Sequence, residues 1–292
     1  MSAQATKRLP VTKTPKVYIG GAFVRSESAR TFKVSDAKGV FYGNIPQCTR
    51  KDLRNAVEAA AKAGPGWAKR TAYNRAQILY RLAEMIEARS GELVDSLALF
   101  GARRADAAKG MSVAVDRLIH YAGWADKYEQ LLGSVNPVAS PHFNFSVTEP
   151  MGVVGIIAPD SPPLLGLLSM VAPVIASGNT VVALASETVP YPAILLGEML
   201  ATSDLPGGVV NLLTGFRREL VPTFATHAHL RALYAVAGPD DRRTLRLGAA
   251  ASVKRVRFAE GGRADWLADS AQGLDAIRDF VELKTTWHPI GS

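Results

Sequence analysis

The sequence predicts an α/β protein built on a parallel β-sheet with helices on both faces. Two observations carry this. From Gly152 onward, short β-branched runs at 153–157, 180–184, 209–213, 230–236 and 253–258 alternate with helical stretches at 164–175, 192–201, 218–225 and 240–248. Successive βα units of this length need crossover helices, which places the strands parallel and covers both faces of the sheet. Two segments of strict alternation, 143–148 and 281–288, stand outside that region and predict additional strands with one face buried.

In chain order, residues 1–16 are rich in Lys, Thr and Pro and are expected to form a disordered arm. The pair Gly20-Gly21 between apolar residues of 18–23 signals a hairpin turn. A helical region follows. Thr49 is placed to cap a helix with Asp52 three residues on, and Leu53, Ala56, Val57 and Ala60 fall on one face. Gly64 and Pro65 are expected to stop it. Ile78, Leu82, Met85 and Ile86 make the stripe of a second amphipathic helix, and two more helical segments lead to Tyr121 and Trp124. Phe143, Phe145 and Val147 then alternate with Asn144, Ser146 and Thr148, within a hairpin expected at 140–150. After the βα region, 263–279 reads as a polar linker. Val281, Leu283, Thr285 and Trp287 then alternate with Glu282, Lys284, Thr286 and His288 as a closing strand within 280–292. That strand has no hairpin partner nearby, so it must pair with a distant edge or with another chain.

Composition narrows the classes of function. The 292 residues are 48% hydrophobic and 21% charged, enough apolar content for a full core. The net charge is +8, but Lys and Arg are scattered rather than clustered, so no nucleic-acid partner is expected. Cys48 is the single cysteine, which rules out an intramolecular disulfide. The polar, basic opening lacks the apolar stretch of a signal peptide. The longest apolar run, 162–176, is interrupted by Gly166, Ser169 and Pro173 and is too short for a membrane span. A cytoplasmic protein without a membrane partner is the expectation. His227 and His229 form a His-x-His pair with no third ligand in sight, and read as a loop at a helix end.

Several segments resemble the aldehyde dehydrogenase superfamily over almost the whole chain. Tyr121-Ala122-Gly123-Trp124-Ala125-Asp126-Lys127 is similar to the family's segment before its oligomerisation hairpin. Glu149-Pro150-Met151-Gly152-Val153-Val154-Gly155 is similar to its entry into the first cofactor-domain strand. Gly178-Asn179-Thr180-Val181-Val182 and Leu205-Pro206-Gly207-Gly208-Val209-Val210-Asn211 match in the same order. The resemblance implies a Rossmann-like domain over 17–262, with the oligomerisation hairpin and the C-terminal oligomerisation strand. These segments are turns and strands, so they speak for fold more than for activity.

The family's chemistry implies a cysteine that attacks the aldehyde, an asparagine that stabilises the oxyanion, and a glutamate that activates water. Here the asparagine motif reads Pro159-Asp160-Ser161-Pro162-Pro163, with Ser161 at the asparagine position. The glutamate position, two residues before Gly261-Gly262, is Ala259, and neighbouring Glu260 would point to the opposite face of a strand. The domain that would carry the cysteine is missing, as if deleted internally. Cys48 lies far upstream and reads as a small buried residue. Ser161 has no evident His/Asp partner for hydrolase chemistry.

The cofactor motif that gives a lysine and a glutamate in the family reads Leu184-Ala185-Ser186-Glu187, which keeps Glu187 and loses the lysine. Glu187 alone reads more readily as a solvated loop carboxylate than as a retained cofactor contact. The phosphate-facing helix start reads Val236-Ala237-Gly238-Pro239-Asp240, where Pro239 removes a donor and Asp240 and Asp241 repel phosphate. The candidate cofactor contacts are thus Pro159, Ser161, Glu187 and Gly238, and NAD binding is expected to be weakened or lost.

The resemblance also implies partners. Phe143, Phe145 and Val147, with Val281, Leu283, Thr285 and Trp287, fall on segments that assemble subunits in the family. The plan is similar to the shortened, cysteine-less second half of the two-part class-sixteen aldehyde dehydrogenases. A pseudoenzyme subunit docking on a full-length aldehyde dehydrogenase is therefore expected, with self-association left open. The alternatives are an NAD or NADH sensing module, and an oxidoreductase with residual or different chemistry at Asp160, Ser161 or Glu260.

Overall fold

A computed structural model describes residues 13–259 and 265–291, so most of the expected arm at 1–16, and Glu260, lie outside the described residues. The chain opens with the hairpin β1 (Val17–Ile19) and β2 (Ala22–Val24), turning through Gly20 and Gly21 at φ 63° and 84°. Left-handed backbone at both central residues matches the twist of the strands and suits glycine. A Cβ on Gly21 would also lie 2.8 Å from the Cα of Gly207. Next comes a second hairpin, β3 (Thr31–Ser35) and β4 (Phe41–Pro46), where a helical region was expected to begin. Its residues are mostly exposed or half-buried, with Val34 and Ile45 as the buried apolar pair, so the alternation that marks a half-buried strand is weak.

Helix α1 (Arg50–Ala68) starts as expected. The Thr49 hydroxyl accepts from the Lys51 N–H, and the Thr49 N–H donates to Asp52 at 2.7 Å. It does not stop at Gly64 and Pro65. The indole of Trp67 is buried and donates to the Ile175 carbonyl at 2.9 Å, which anchors a further turn against the one backbone donor the proline removes. Helices α2 (Ala72–Ala88), α3 (Ser90–Leu99), α4 (Arg104–Trp124) and α5 (Tyr128–Leu132) follow, then strands β5 (Ser134–Asn136) and β6 (His142–Pro150).

The parallel region comprises β7 (Val153–Ile157), α6 (Pro163–Ala176), β8 (Thr180–Leu184), α7 (Tyr191–Ala201), β9 (Val210–Leu213), α8 (Arg217–Thr226), β10 (Leu230–Ala235), α9 (Pro239–Ala250) and β11 (Arg255–Phe258). Val253, expected inside the last strand, instead sits at φ 51° in the exposed turn after α9. The sheet order is β11-β10-β7-β8-β9-β1-β2, with β1 antiparallel to β9. Alternate residues of each strand feed two cores. Val154, Ile156, Val181 and Ala183 pack with α2, α4, α6 and α7, whereas Val153, Ile157, Val182 and Leu184 pack with α1, α8 and α9.

The closing segment departs from the polar linker expected at 263–279. From Asp265 it makes a short 3-10 turn and helix α10 (Leu274–Arg278), with Trp266 and Ile277 buried. Its anchor is Arg117 of α4, 1% exposed, whose guanidinium donates to the carbonyls of Trp266, Ala268 and Ala271 and to the Ser169 hydroxyl. Strand β12 (Val281–Pro289) then pairs with the distant β6, from Val281 opposite Pro150 to Pro289 opposite His142. The resulting sheet has the order β12-β6-β5, so the strand's partner is in its own chain, and among the described residues no strand pairs with its outer edge.

Candidate functional site

In an open α/β sheet, ligands bind outside the carboxyl ends of the strands, where the strand order reverses. Here that point lies between β7 and β10. The loops around it are 158–162 after β7, 185–190 after β8, 214–216 after β9 and 236–238 after β10.

Asp160 organises the first two loops. Its Oδ1 accepts from the Ser186 hydroxyl and the Glu187 N–H, each at 2.8 Å, and from the Thr188 N–H at 3.3 Å. The other oxygen, Oδ2, faces the guanidinium of Arg217 at 3.2 Å. Arg217, the first residue of α8, reaches across the mouth of the crevice. Its guanidinium donates to the Ala158 carbonyl at 2.7 Å and to the Val236 carbonyl at 3.2 Å, the ends of β7 and β10. Meanwhile the Arg217 backbone N–H donates to Glu187 Oε2 at 2.7 Å. Glu187 is therefore not a solvated loop carboxylate. It is half-buried and satisfies an N-terminal donor of α8, where a negative charge also suits the helix dipole.

The remaining sequence candidates fall around this centre with different roles. Pro159 is buried against α6, close enough that a Cβ on Gly166 would sit 2.2 Å from its Cγ, so its place is in the packing. Ser161 is exposed, and among the described residues its hydroxyl has no hydrogen-bond partner. Gly238 is exposed at the start of α9, followed by Pro239 at the first helical position and by Asp240 and Asp241 in the first turn. Ala259 donates its N–H to the Ala235 carbonyl and lines a separate cleft of about 430 Å³ with Tyr234, Arg257, Trp266 and the 270–276 segment. Cys48 is fully buried, and burial pushes its thiol up to about 12, so it carries no reactive thiolate near neutral pH. No group of three metal-ligating side chains occurs among the described residues, and His227 and His229 stand with ring centres 6.0 Å apart.

The sequence reading missed Arg217 and Arg117. For Arg217 a signal existed: Arg217-Arg218 opens a helix directly after the third parallel strand, where α/β topology puts ligand contacts. Arg117 carried none, because a lone arginine on an amphipathic helix reads as solvated.

The expected assembly residues divide between two faces of the three-stranded sheet. Phe143, Phe145 and Val147 share one face, and Phe145 is opposite Val135 of β5. Leu283, Thr285 and Trp287 lie on the other, where Asn136, Asn144, Ser146 and Thr285 form a chain of side-chain hydrogen bonds. Val281, expected at an interface, is 4% exposed and belongs to the main core, because it enters the sheet beside Pro150 under α10.

The family model for the aldehyde dehydrogenase family matches residues 23–284. The chain belongs to the aldehyde dehydrogenase family. The 2-hydroxymuconic semialdehyde dehydrogenase of Pseudomonas putida is 33% identical over 258 residues, covering 86% of this chain and 53% of that enzyme. An aldehyde dehydrogenase of Alternaria alternata is 30% identical over 270 residues, covering 91% of this chain and 54% of that protein. Among solved structures, HpcC from Thermus thermophilus superposes with a TM-score of 0.82 at 30% identity, over 86% of this chain and 49% of that one. The NAD+ complex of aldehyde dehydrogenase from Bacillus cereus superposes with a TM-score of 0.81 at 27% identity, over 84% and 50%. The chain thus spans about half the length of the relatives it matches. It has the α/β fold of aldehyde dehydrogenases, and among the described residues no helix is long and apolar enough to cross a membrane.

The family implies a nicotinamide dinucleotide in the crevice, and the residues present do not fit one. A guanidinium spans the mouth of the crevice, Asp160 stands beside it, and Glu187 is committed to α8. The helix start at Pro239 adds two carboxylates and lacks one N–H.

Proposed function

We propose that this chain is a non-catalytic subunit of an aldehyde dehydrogenase assembly, a structural or regulatory partner of a full-length, NAD-dependent member of the family. The observation that carries this reading is a contrast within one chain. Positions where the family's chemistry is expected hold an exposed Ser161 and a half-buried Ala259, while the sheet expected to join subunits presents Val135, Phe143 and Val147 to solvent at 68%, 44% and 43% exposure. Neighbouring apolar side chains on one sheet face favour a protein partner. The partner supplies the cysteine and glutamate, and the assembly, rather than this chain, oxidises the aldehyde. A cytoplasmic location belongs to the same reading, as does the similarity to the second half of the two-part enzymes.

The test is co-expression with a full-length aldehyde dehydrogenase from the same cells, followed by native mass measurement. A hetero-oligomer of fixed stoichiometry is expected with the wild-type chain, and none with Phe143→Asp/Val147→Lys. Removing 280–292 is a poor variant, because Phe280 is fully buried and its carbonyl accepts from the Asn179 amide at 2.8 Å. A homo-oligomer alone in the presence of such enzymes would refute the reading.

A further inference from the structure

We infer that Arg217 is a built-in occupant of the nucleotide crevice, and that its side chain closes the crevice to dinucleotides. This extends the account of the site and does not depend on the partner proposed above.

The argument begins with where the guanidinium lies. The carbonyls of Ala158 and Val236 end the two strands on either side of the order reversal, and one side chain bonds to both. A dinucleotide bound at that reversal lays its diphosphate across the same opening. Guanidinium and diphosphate therefore claim one position.

The side chain is held there from three directions. Besides the two carbonyls, Asp160 Oδ2 lies 3.2 Å from it, and the chain's exit from Arg217 is fixed by the N–H bond to Glu187. Asp160 is in turn held by Ser186, Glu187 and Thr188 on the loop after β8. A planar fork with several donors can bind two carbonyls and a carboxylate at once, which lysine cannot reproduce. The Arg217 side chain is only 17% exposed, and its Nε is buried without a partner among the described residues. Nor does its charge await an anion. Asp160 and two carbonyl oxygens surround it, so an entering diphosphate would meet a neutralised cation and, beyond it, a carboxylate. The residue that reads as a phosphate-binding arginine by type is an internal strap by geometry.

Titration with NADH, followed by its fluorescence, tests this on the full chain. The wild type is expected to show no saturable signal up to millimolar nucleotide. Arg217→Ala is expected to bind at least tenfold more tightly than wild type, and Arg217→Lys to stay closer to wild type than alanine does. Asp160→Asn, which keeps an acceptor for the loop donors and loosens Arg217, should give a smaller gain and serves if the alanine variant does not fold. Wild-type binding that weakens in Arg217→Ala would make Arg217 a ligand contact and overturn the proposal. If the folded variants do not gain affinity, the strap is not what excludes the nucleotide, and the proposal fails equally.

Discussion

The two ends of the main sheet are built on opposite terms. At the amino end, two fully buried asparagines act as joints. Asn179 accepts from the Gly152 N–H and donates to the carbonyl of Phe280 and the hydroxyl of Ser177. Asn211 accepts from the Gly20 N–H and donates to the carbonyls of Val181 and Gly208. Each ties together segments remote in sequence and leaves no amide idle. At the carboxyl end the polar groups are also paired, but by a different set: Arg217, Asp160 and Glu187 satisfy one another and nearby main chain. Of the four segments that mark the family, 149–155, 178–182 and 205–211 lie at the amino end, and 121–127 ends helix α4. What is kept there holds the sheet together, and what differs at the other end is the part that would meet a cofactor and substrate.

The sharpest way to break this comparison is to remove one joint from each end. Asn179→Ala leaves the Gly152 N–H and the Phe280 carbonyl buried without partners, and each such loss costs about 1–3 kcal/mol. A loss of about 3–5 kcal/mol in urea unfolding is expected, enough to threaten the fold of a domain with ordinary stability. Arg117→Leu comes next. It frees three carbonyls of the closing segment, and about 2–3 kcal/mol should be lost, with hydrogen-exchange protection falling first at 266–273. Arg217→Ala at the crevice end should cost only about 1 kcal/mol, since the freed carbonyls at the mouth become accessible to water. A larger penalty at Arg217 than at Asn179 would reverse the assignment of the two ends.

How much of this was legible follows the same division. The βα alternation, the Gly20-Gly21 turn and the Thr49 cap depend on local residue pattern, and the structure carries all three. Other elements depend on remote contacts. α1 runs through Pro65 because Trp67 meets Ile175, more than a hundred residues away, and the 265–278 segment folds because Arg117 lies beneath it. Neither contact has a signature in the residues near the element it stabilises. At the site, the sequence marks Glu187 and Ser161 by position in a motif, but position does not say which group a carboxylate serves. Glu187 caps α8, and the residue that decides the crevice, Arg217, sits outside any motif.

Cys48 gives a smaller, chemical version of the contrast. It is buried where the loop after β9 returns to the amino-terminal hairpins, with its N–H on the Thr214 carbonyl at 2.9 Å. With the thiol pushed up to about 12 by burial, thiolate is scarce near neutral pH. A thiol reagent should label the native chain no faster than it unfolds and label the urea-unfolded chain fully, as mass spectrometry would read. Rapid labelling of the folded chain would mean the site is open, and would return Cys48 to the list of reactive groups.

The smallest effects on stability are expected on the three-stranded sheet, and they discriminate between its faces. Phe143→Asp/Val147→Lys and Leu283→Thr/Trp287→Thr replace side chains already 43% to 62% exposed, so each should change unfolding stability by about 0.5 kcal/mol or less per position. Their effects on assembly should differ. On one face Val135, Phe143, Phe145 and Val147 form an apolar patch along β5 and β6, with the rings of Phe143 and Phe145 5.5 Å apart, bordered on β12 by Glu282, Lys284, Thr286 and His288. The opposite face has a polar spine through Asn144, Ser146 and Thr285 that already satisfies much of its own hydrogen bonding. The contiguous apolar patch on β5 and β6 gains by excluding water, whereas the self-satisfied polar spine, which separates Leu283 and Trp287, gains little from a partner. The first pair should therefore abolish association while the second leaves it intact. If the second pair is the one that releases the partner, the outer edge of β12 and not the apolar patch holds the assembly together.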